Sequence, residues 1–427
     1  MYNLYGDGIH DDQPAIQEML DSGSKEIKLP TPAKNYLITK TLEIPSDCSF
    51  SLPRHAVIKL ADGANCFMLK NKTVYKPAKR LHPEMYNHKA SLGERGAEVA
   101  ERADFFVNDY SPDEADTTRN ITVCGGIWDC NNMGQKPNPQ RGNNFDTYGY
   151  VGYGMLFYNV KDLTLKEMTL KDPVNFSVTL DRVSDFTVRD VEFDFNLGNP
   201  VPLNMDGIHV NGNCRSGVIE NLSGACYDDL VALNADEGSF GPITNIKINN
   251  ISAENCHSAV RLLTVKNAIE NIRITNVSGT YYQYGIGFTN YYKGSVDGYF
   301  DGIALEDLNI SKADREPIRK LVAPVVPKWG AGRHFSPVWI QENAKVKTIT
   351  VRNLHRVERI NPIETITVGE NAEIDELTLE NIVTENHTGQ PMPLFKNSGT
   401  VKNLIASGLK TDGDEIYTGN GVIENKN

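Results

Sequence analysis

The sequence predicts an all-β chain, a single-stranded right-handed parallel β-helix with an N-terminal capping helix and long loop insertions. Two observations predict it: a strand-like phrase that recurs at solenoid spacing, and a scarcity of long amphipathic helical patterns after residue 110. The phrase reads Asn or Asp, an aliphatic, any residue, an aliphatic, two polar residues and another aliphatic. It opens at Asn120, Asp162, Asp185, Asn245 and Asn271, with looser copies at Thr348 and Glu376. Neighbouring copies lie roughly 23 to 31 residues apart where no loop intervenes, within the range of solenoid repeats. Alternation of apolar and polar residues is the period of a half-buried strand and not of a helix.

A chain of 427 residues then needs no division into several domains, because a solenoid grows by adding coils to one core. Residues 1–70 read as the cap and first coils. Gly6-Asp7-Gly8 is a turn, and an Asp N-cap at Asp11-Asp12 precedes a short amphipathic helix through about Leu20. Such a helix plugs the open end of a solenoid, which would otherwise expose apolar surface and strand edges. Residues 71–119 break the period with a charged insertion. Residues 120–427 carry the main coils, interrupted at 131–153 and again near 311–342, where Trp329, Arg333, His334 and Trp339 lie. Insertions of this length are usually functional or mobile. The last two are expected to wall one face into a pocket.

Composition narrows the function. Hydrophobic residues make up 40% and charged residues 23%, ordinary values for a chain with a buried core. The net charge of −12 disfavours nucleic acid as a partner and gives no long-range attraction for a polyanion. No apolar run approaches the roughly 18 residues of a membrane span. The amino terminus lacks the basic and apolar segments of a secretory signal, which favours the cytoplasm. Seven cysteines without a CxxC pair read as reduced core thiols, and neither a metal site nor a cofactor is called for.

Three carboxylates stand out. Asn204-Met205-Asp206-Gly207-Ile208-His209 is followed by Tyr227-Asp228-Asp229-Leu230. If Leu222, Ile251 and Val277 form one apolar column, the slot six residues onward holds Asp228, His257 and Gln283. Laying Asn204–Ile208 on Cys226–Leu230 adds Asp206 to that slot, and Asn175 falls nearly there one coil earlier. The expected result is a polar ladder of Asn175, Asp206, Asp228, His257 and Gln283 with Asp229 beside it, its rungs about 4.8 Å apart. Stacked ionised carboxylates raise one another's pKa, and that separates a general acid from a base. Asp228 and Asp229 are adjacent, so both serve one site only if the strand begins or bulges between them.

At these residues the chain resembles the polygalacturonase family, glycoside hydrolase family 28, of the pectin-lyase-like β-helix superfamily. Asn204-Met205-Asp206-Gly207 resembles the family's Asn-Thr-Asp-Gly, and Asp228-Asp229 its Asp-Asp pair. The opening Gly6-Asp7-Gly8 with Asp11-Asp12 and Ala15-Ile16-Gln17 is similar to that of the superfamily. The resemblance implies that Asp228 protonates the leaving oxygen while Asp206 and Asp229 hold and deprotonate a water. It implies inversion of configuration, with carboxyl groups about 6.5 to 9.5 Å apart. No Gly-His-Gly occurs, and His257 takes that place by slot. Val260-Arg261-Leu262-Leu263 resembles the Arg-Ile-Lys strand, with Leu263 where Lys would meet a uronate.

Arg261, Lys266, Asn204, Arg333 and His334 are therefore expected at the substrate, as are Tyr284 and the neighbouring Tyr281, Tyr282, Tyr291 and Tyr292, whose rings can stack on sugars. The reading is a glycoside hydrolase acting on a pectic or related oligosaccharide, with the pocket favouring exo action. A polysaccharide lyase on the same fold and a noncatalytic, tailspike-like carbohydrate-binding β-helix are the alternatives. The sequence fixes neither sugar, linkage nor oligomeric state.

Overall fold

The computed structural model describes residues 3–72, 117–135, 153–195, 205–239, 241–290, 297–314 and 335–426. Within them the recurring phrase becomes the corner of a coil. Its first residue has a left-handed backbone, with φ of 54° at Asn120, 60° at Asp162, 56° at Asp185, 57° at Asn245 and 54° at Asn271. Its sixth residue is left-handed again: Glu167, Asp190, Asn250, Asn276, Asn353 and Asn381, with φ between 54° and 59°. Asn and Asp visit this region at least cost among residues with a Cβ. The phrase therefore encodes two bends, with three apolar side chains between and after them.

These bends stack from coil to coil. Asn221 donates to Asp190 at 2.8 Å, Asn250 to Asn221 at 2.8 Å and Asn276 to Asn250 at 3.2 Å. Farther along, Asn353 donates to Asp307 at 2.9 Å and Asn381 to Asn353 at 3.3 Å. The aliphatic positions line up too. Leu163, Phe186, Gly217, Ile246, Ile272, Ile303, Ile349, Leu377 and Leu404 form one row of paired residues. Every described member with a side chain is almost wholly buried. A continuous interior of such rows replaces the closed core of a globular domain.

Each main coil contributes one long and one short strand. The long strands, such as Arg215–Ala225, Ile243–Cys256 and Ala268–Tyr281, belong to a parallel sheet of 17 strands. The short strands form a parallel sheet of 12 that includes Val178–Asp181, Ile208–Asn211, Asp229–Asn234, Ser258–Leu263, Ile286–Thr289 and Val338–Ile340. The winding is that of a right-handed β-helix. In the short strands from Val178 to Thr289 every residue is buried, on the outward face as well as the inward one. That outward face carries the candidate site.

The helix Gln13–Asp21 seals the first coil with buried Ile16 and Leu20. Its cap differs from expectation in one respect. Asp12 sits at the N-cap without a side-chain capping bond. Its buried carboxylate accepts instead from the backbone of Tyr5 at 2.6 Å and Gly6 at 3.2 Å, tying down the N-terminal segment, while Asp11 takes the Gln13 N–H at 3.0 Å. All seven cysteines are free thiols. No helix among the described residues is long and apolar enough to cross a membrane. The insertions at 71–119 and 131–153, and the part of the last loop from 315 to 334, lie almost entirely outside the described residues.

Candidate active site

The short-strand register places the acids. Val178 pairs with Ile208, Ile208 with Val231, Asp229 with Ser258 and Val260 with Ile286. Carried back along each strand, these pairings set Phe176, Asp206, Asp229, Ser258 and Tyr284 level with one another. Asn175, Asp228, His257 and Gln283 share the neighbouring level. Asp206 therefore stacks on Asp229, and Met205 occupies the place expected for Asp206 beside Asp228. The apolar column Leu222, Ile251 and Val277 is as expected. The slip arises at Leu230-Val231, two consecutive buried aliphatics, of which Val231 pairs with Ile208.

The strand Asp229–Asn234 begins at its first acid, so the step from turn to strand falls between Asp228 and Asp229. Both carboxyl groups then reach one site. Oxygens of Asp206, Asp228 and Asp229 lie within 4.8 Å of one another. Asp206 and Asp229 are wholly buried, whereas the Asp228 side chain is 19% exposed. One solvent-facing acid thus stands against a buried pair. The same three oxygens could converge on a cation, but the Arg261 guanidinium already provides positive charge there.

Each acid has its own support. Asp206 Oδ1 accepts the backbone N–H of Asp229 at 3.1 Å, and its Oδ2 lies 2.6 Å from His209 Nδ1. Asp229 Oδ2 lies 2.7 Å from Arg261 Nε, and its Oδ1 accepts the Tyr284 hydroxyl at 3.2 Å. Arg261 Nη2 is also 4.0 Å from Asp206. Asp228 Oδ1 is 3.5 Å from His257 Nδ1, which is 3.4 Å from the Ser258 hydroxyl. Burial pushes the Asp229 carboxyl up to about 6; the Arg261 charge opposes the shift and the Asp206 charge adds to it.

His209 is bonded on both sides. Its Nε2 lies 3.0 Å from Glu237 Oε2 and 3.1 Å from Asn211 Oδ1, and the Phe176 ring stacks on it at 3.7 Å between centroids. Burial alone would pull the imidazolium down, but the bonds to Asp206 and Glu237 prevail and hold it up at about 9. Behind it Asn211 donates to Asp181 at 3.1 Å, and Asn234 donates to Glu237 at 2.9 Å.

Sequence reasoning gave several residues different work. Arg261, expected at the substrate, is spent on the acids because its coil lies directly beside that of Asp229. Tyr284, expected to stack on sugar, is fully buried; its ring passes over Gly287 and packs beside Trp339 and Phe335, leaving the hydroxyl to Asp229. Tyr281 belongs to the core and donates to the Ser278 carbonyl. Gln283 is buried, its backbone N–H on the His257 carbonyl at 2.8 Å and its own carbonyl accepting from Lys312. Lys266 is exposed in the turn after Ser258–Leu263, its backbone N–H on Asp236 at 2.9 Å. Leu263 is buried. Asn175 is half-buried two coils before Asp228. Asn204, Tyr291, Tyr292, Arg333 and His334 lie outside the described residues.

His209, Glu237, Asn211, Asn234 and Lys312 were not assigned roles from the sequence. His209 and Asn211 did carry a signal: they alternate with the core residues Ile208 and Val210, so both point outward beside Asp206. The partnership with Glu237, 28 residues on, left none.

The model for glycosyl hydrolases family 28 matches residues 113–276, a span that holds all three acids, His209, Glu237, His257 and Arg261. The fold is polygalacturonase-like. Among solved structures, the endo-xylogalacturonan hydrolase of Aspergillus tubingensis superposes with a TM-score of 0.57 at 15% identity, over 98% of this chain and 98% of that one. The Yersinia enterocolitica family 28 exopolygalacturonase gives 0.56 at 12%, over 99% of this chain and 77% of that one. PfbA, a surface adhesin of Streptococcus pneumoniae, gives 0.57 at 14%, over 99% and 89%. No curated protein matches the sequence. Together these findings support a glycoside hydrolase or a carbohydrate-binding β-helix.

Proposed function

We propose that the chain hydrolyses a glycosidic bond in a pectic or related oligosaccharide, with inversion and from a chain end. One observation carries this reading: a single solvent-facing carboxylate, Asp228, stands against two buried ones held by cationic partners. Asp228 protonates the leaving oxygen. Asp206 and Asp229 hold the water, and Asp229 takes its proton. A carboxyl group at about 6 is ionised at neutral pH and a better proton acceptor than an ordinary aspartate. Hydrogen bonds from His209, Tyr284 and the Asp229 backbone leave the pair little freedom to rotate, which keeps the water in place.

Inversion needs carboxyl groups about 6.5 to 9.5 Å apart. The nearest oxygens stand closer, within 4.8 Å. Asp228 is the member that gives way: of the three it alone is partly open to solvent, so the sugar enters as its carboxyl swings outward. The substrate follows from charge. Leu263 offers no cation, Arg261 is engaged with the acids, and the protein is acidic, so a smooth polyuronide is poorly held.

The experiment incubates wild type and Asp228→Asn with xylogalacturonan and with polygalacturonan, following new reducing ends and, by NMR, the anomer first formed. The expected result is slow or no attack on polygalacturonan, an inverted product from the better substrate, and a loss of about 10² to 10⁴ in rate for the variant. A retained anomer refutes inversion. Ultraviolet-absorbing unsaturated products would make the chain a lyase, and binding without new reducing ends would make it a carbohydrate-binding β-helix.

A further inference from the structure

The His209 ring is placed as a bridge between two carboxylates. Nδ1 faces Asp206 at 2.6 Å and Nε2 faces Glu237 at 3.0 Å. A neutral imidazole has one N–H and one lone pair, so it would turn a lone pair toward one of these anions. Only the imidazolium donates to both. The Asn234 amide, with two N–H groups, donates to Glu237 at 2.9 Å and lies 3.3 Å from Nε2, but a lone pair on Nε2 would still face the Glu237 oxygen at 3.0 Å. Stacking on Phe176 fixes the plane of the ring, and burial excludes water from it.

Resting on the hydrolase reading, we propose that His209 is a positioning residue. Carried as an imidazolium between Glu237 and Asp206, it holds the Asp206 carboxylate in the one orientation that grips the attacking water. Glu237 is its counterweight. The groups that face the ring bear this out in charge: Asp206 and Glu237 are the anions in contact, Arg261 Nη2 lies 4.0 Å from the same Asp206 oxygen that His209 meets, and Asp181 stands behind Asn211. In the outward row Ala232 separates His209 from Arg261, so two cations flank the acid pair without touching. Without Glu237 the imidazolium loses one of its two anions, and a neutral ring offers Asp206 an uncharged donor, a weaker hold than the charged one.

The test uses Glu237→Gln, chosen because this side chain is 32% exposed and the amide keeps its shape, together with Glu237→Asp. The His209 ring resonance, assigned by its loss in His209→Gln, is titrated by NMR without substrate. In wild type it changes near pH 9, and in Glu237→Gln at lower pH. Kinetics on xylogalacturonan should show kcat falling about 10²-fold, as for a reacting group misplaced by about 1 Å, with KM little changed. The alkaline limb of the pH–rate profile should move to lower pH, and Glu237→Asp should recover part of both effects. A folded Glu237→Gln protein with wild-type kcat and an unmoved alkaline limb would overturn the proposal, as would a His209 resonance that titrates like an ordinary histidine. Active Asp228→Asn would instead overturn the hydrolase reading, while the titration would still report on the bridge.

Discussion

Replacing Gly287 by alanine should loosen the site without touching an acid. A Cβ built there would meet the Tyr284 ring at 2.6 Å to Cε2, 2.8 Å to Cζ and 2.9 Å to Cδ2. Carbon atoms pack comfortably at about 3.5 to 4.0 Å, so the ring must retreat by about 1 Å. It has nowhere easy to go, being fully buried with Trp339 at 5.7 Å and Phe335 at 6.2 Å between centroids. Overpacking of this kind costs about 1 to 3 kcal/mol. The retreat also draws the Tyr284 hydroxyl away from Asp229, now 3.2 Å distant. That bond favours the ionised carboxylate, so its loss should raise Asp229 further above its present value of about 6. Urea unfolding should give a lower midpoint, and the acid limb of the pH–rate profile should move to higher pH. Tyr284→Phe should reproduce the shift of the limb with a smaller loss of stability. Unchanged stability together with an unmoved limb in Gly287→Ala would refute the reasoning.

Two further outcomes test the fold and its titration. At exposed Asn250, with φ of 59° and side-chain bonds to Asn221 and from Asn276, alanine should cost about 1 to 2 kcal/mol for the left-handed backbone plus about 1 kcal/mol for each bond, whereas glycine should lose only the bonds; equal urea midpoints for the two variants would remove the backbone term. His209, held up at about 9 against an ordinary 6.5, contributes stability that is full below about pH 6.5 and is lost as pH rises through about 9, a contribution of about 3 kcal/mol. His209→Gln should therefore show a flatter dependence of urea midpoint on pH between 7 and 10 than wild type does, and parallel curves would contradict the shift.

The coils were legible because each repeats the same local demands: polar residues at two left-handed corners and aliphatics between them, at Asn245 and Asn250 as at Asn271 and Asn276. The three acids were legible because they sit at strand entries in two successive coils. Their register was less so. Ile208 could have matched Leu230 or Val231 on hydrophobicity alone, and only the pairing in the sheet decides between them. What remained hidden depends on side chains meeting from distant parts of the chain. Arg261 could be read as a cation at the substrate until its distance to Asp229 was known, and nothing near Gly287 hints that its missing Cβ makes room for Tyr284.

The paired strands bear on how such a molecule changes. Val178 and Ile208 are partners 30 residues apart, Ile208 and Val231 are 23 apart, and Asp229 and Ser258 are 29 apart, yet all take the same place on successive coils. Sheet pairing absorbs the difference and passes it outward to the turns. A segment lengthened or exchanged beside the acids therefore reshapes what borders them and leaves their mutual spacing alone. Diversification and laboratory grafting can both proceed by trading turns, one at a time, over a reaction centre that keeps its geometry.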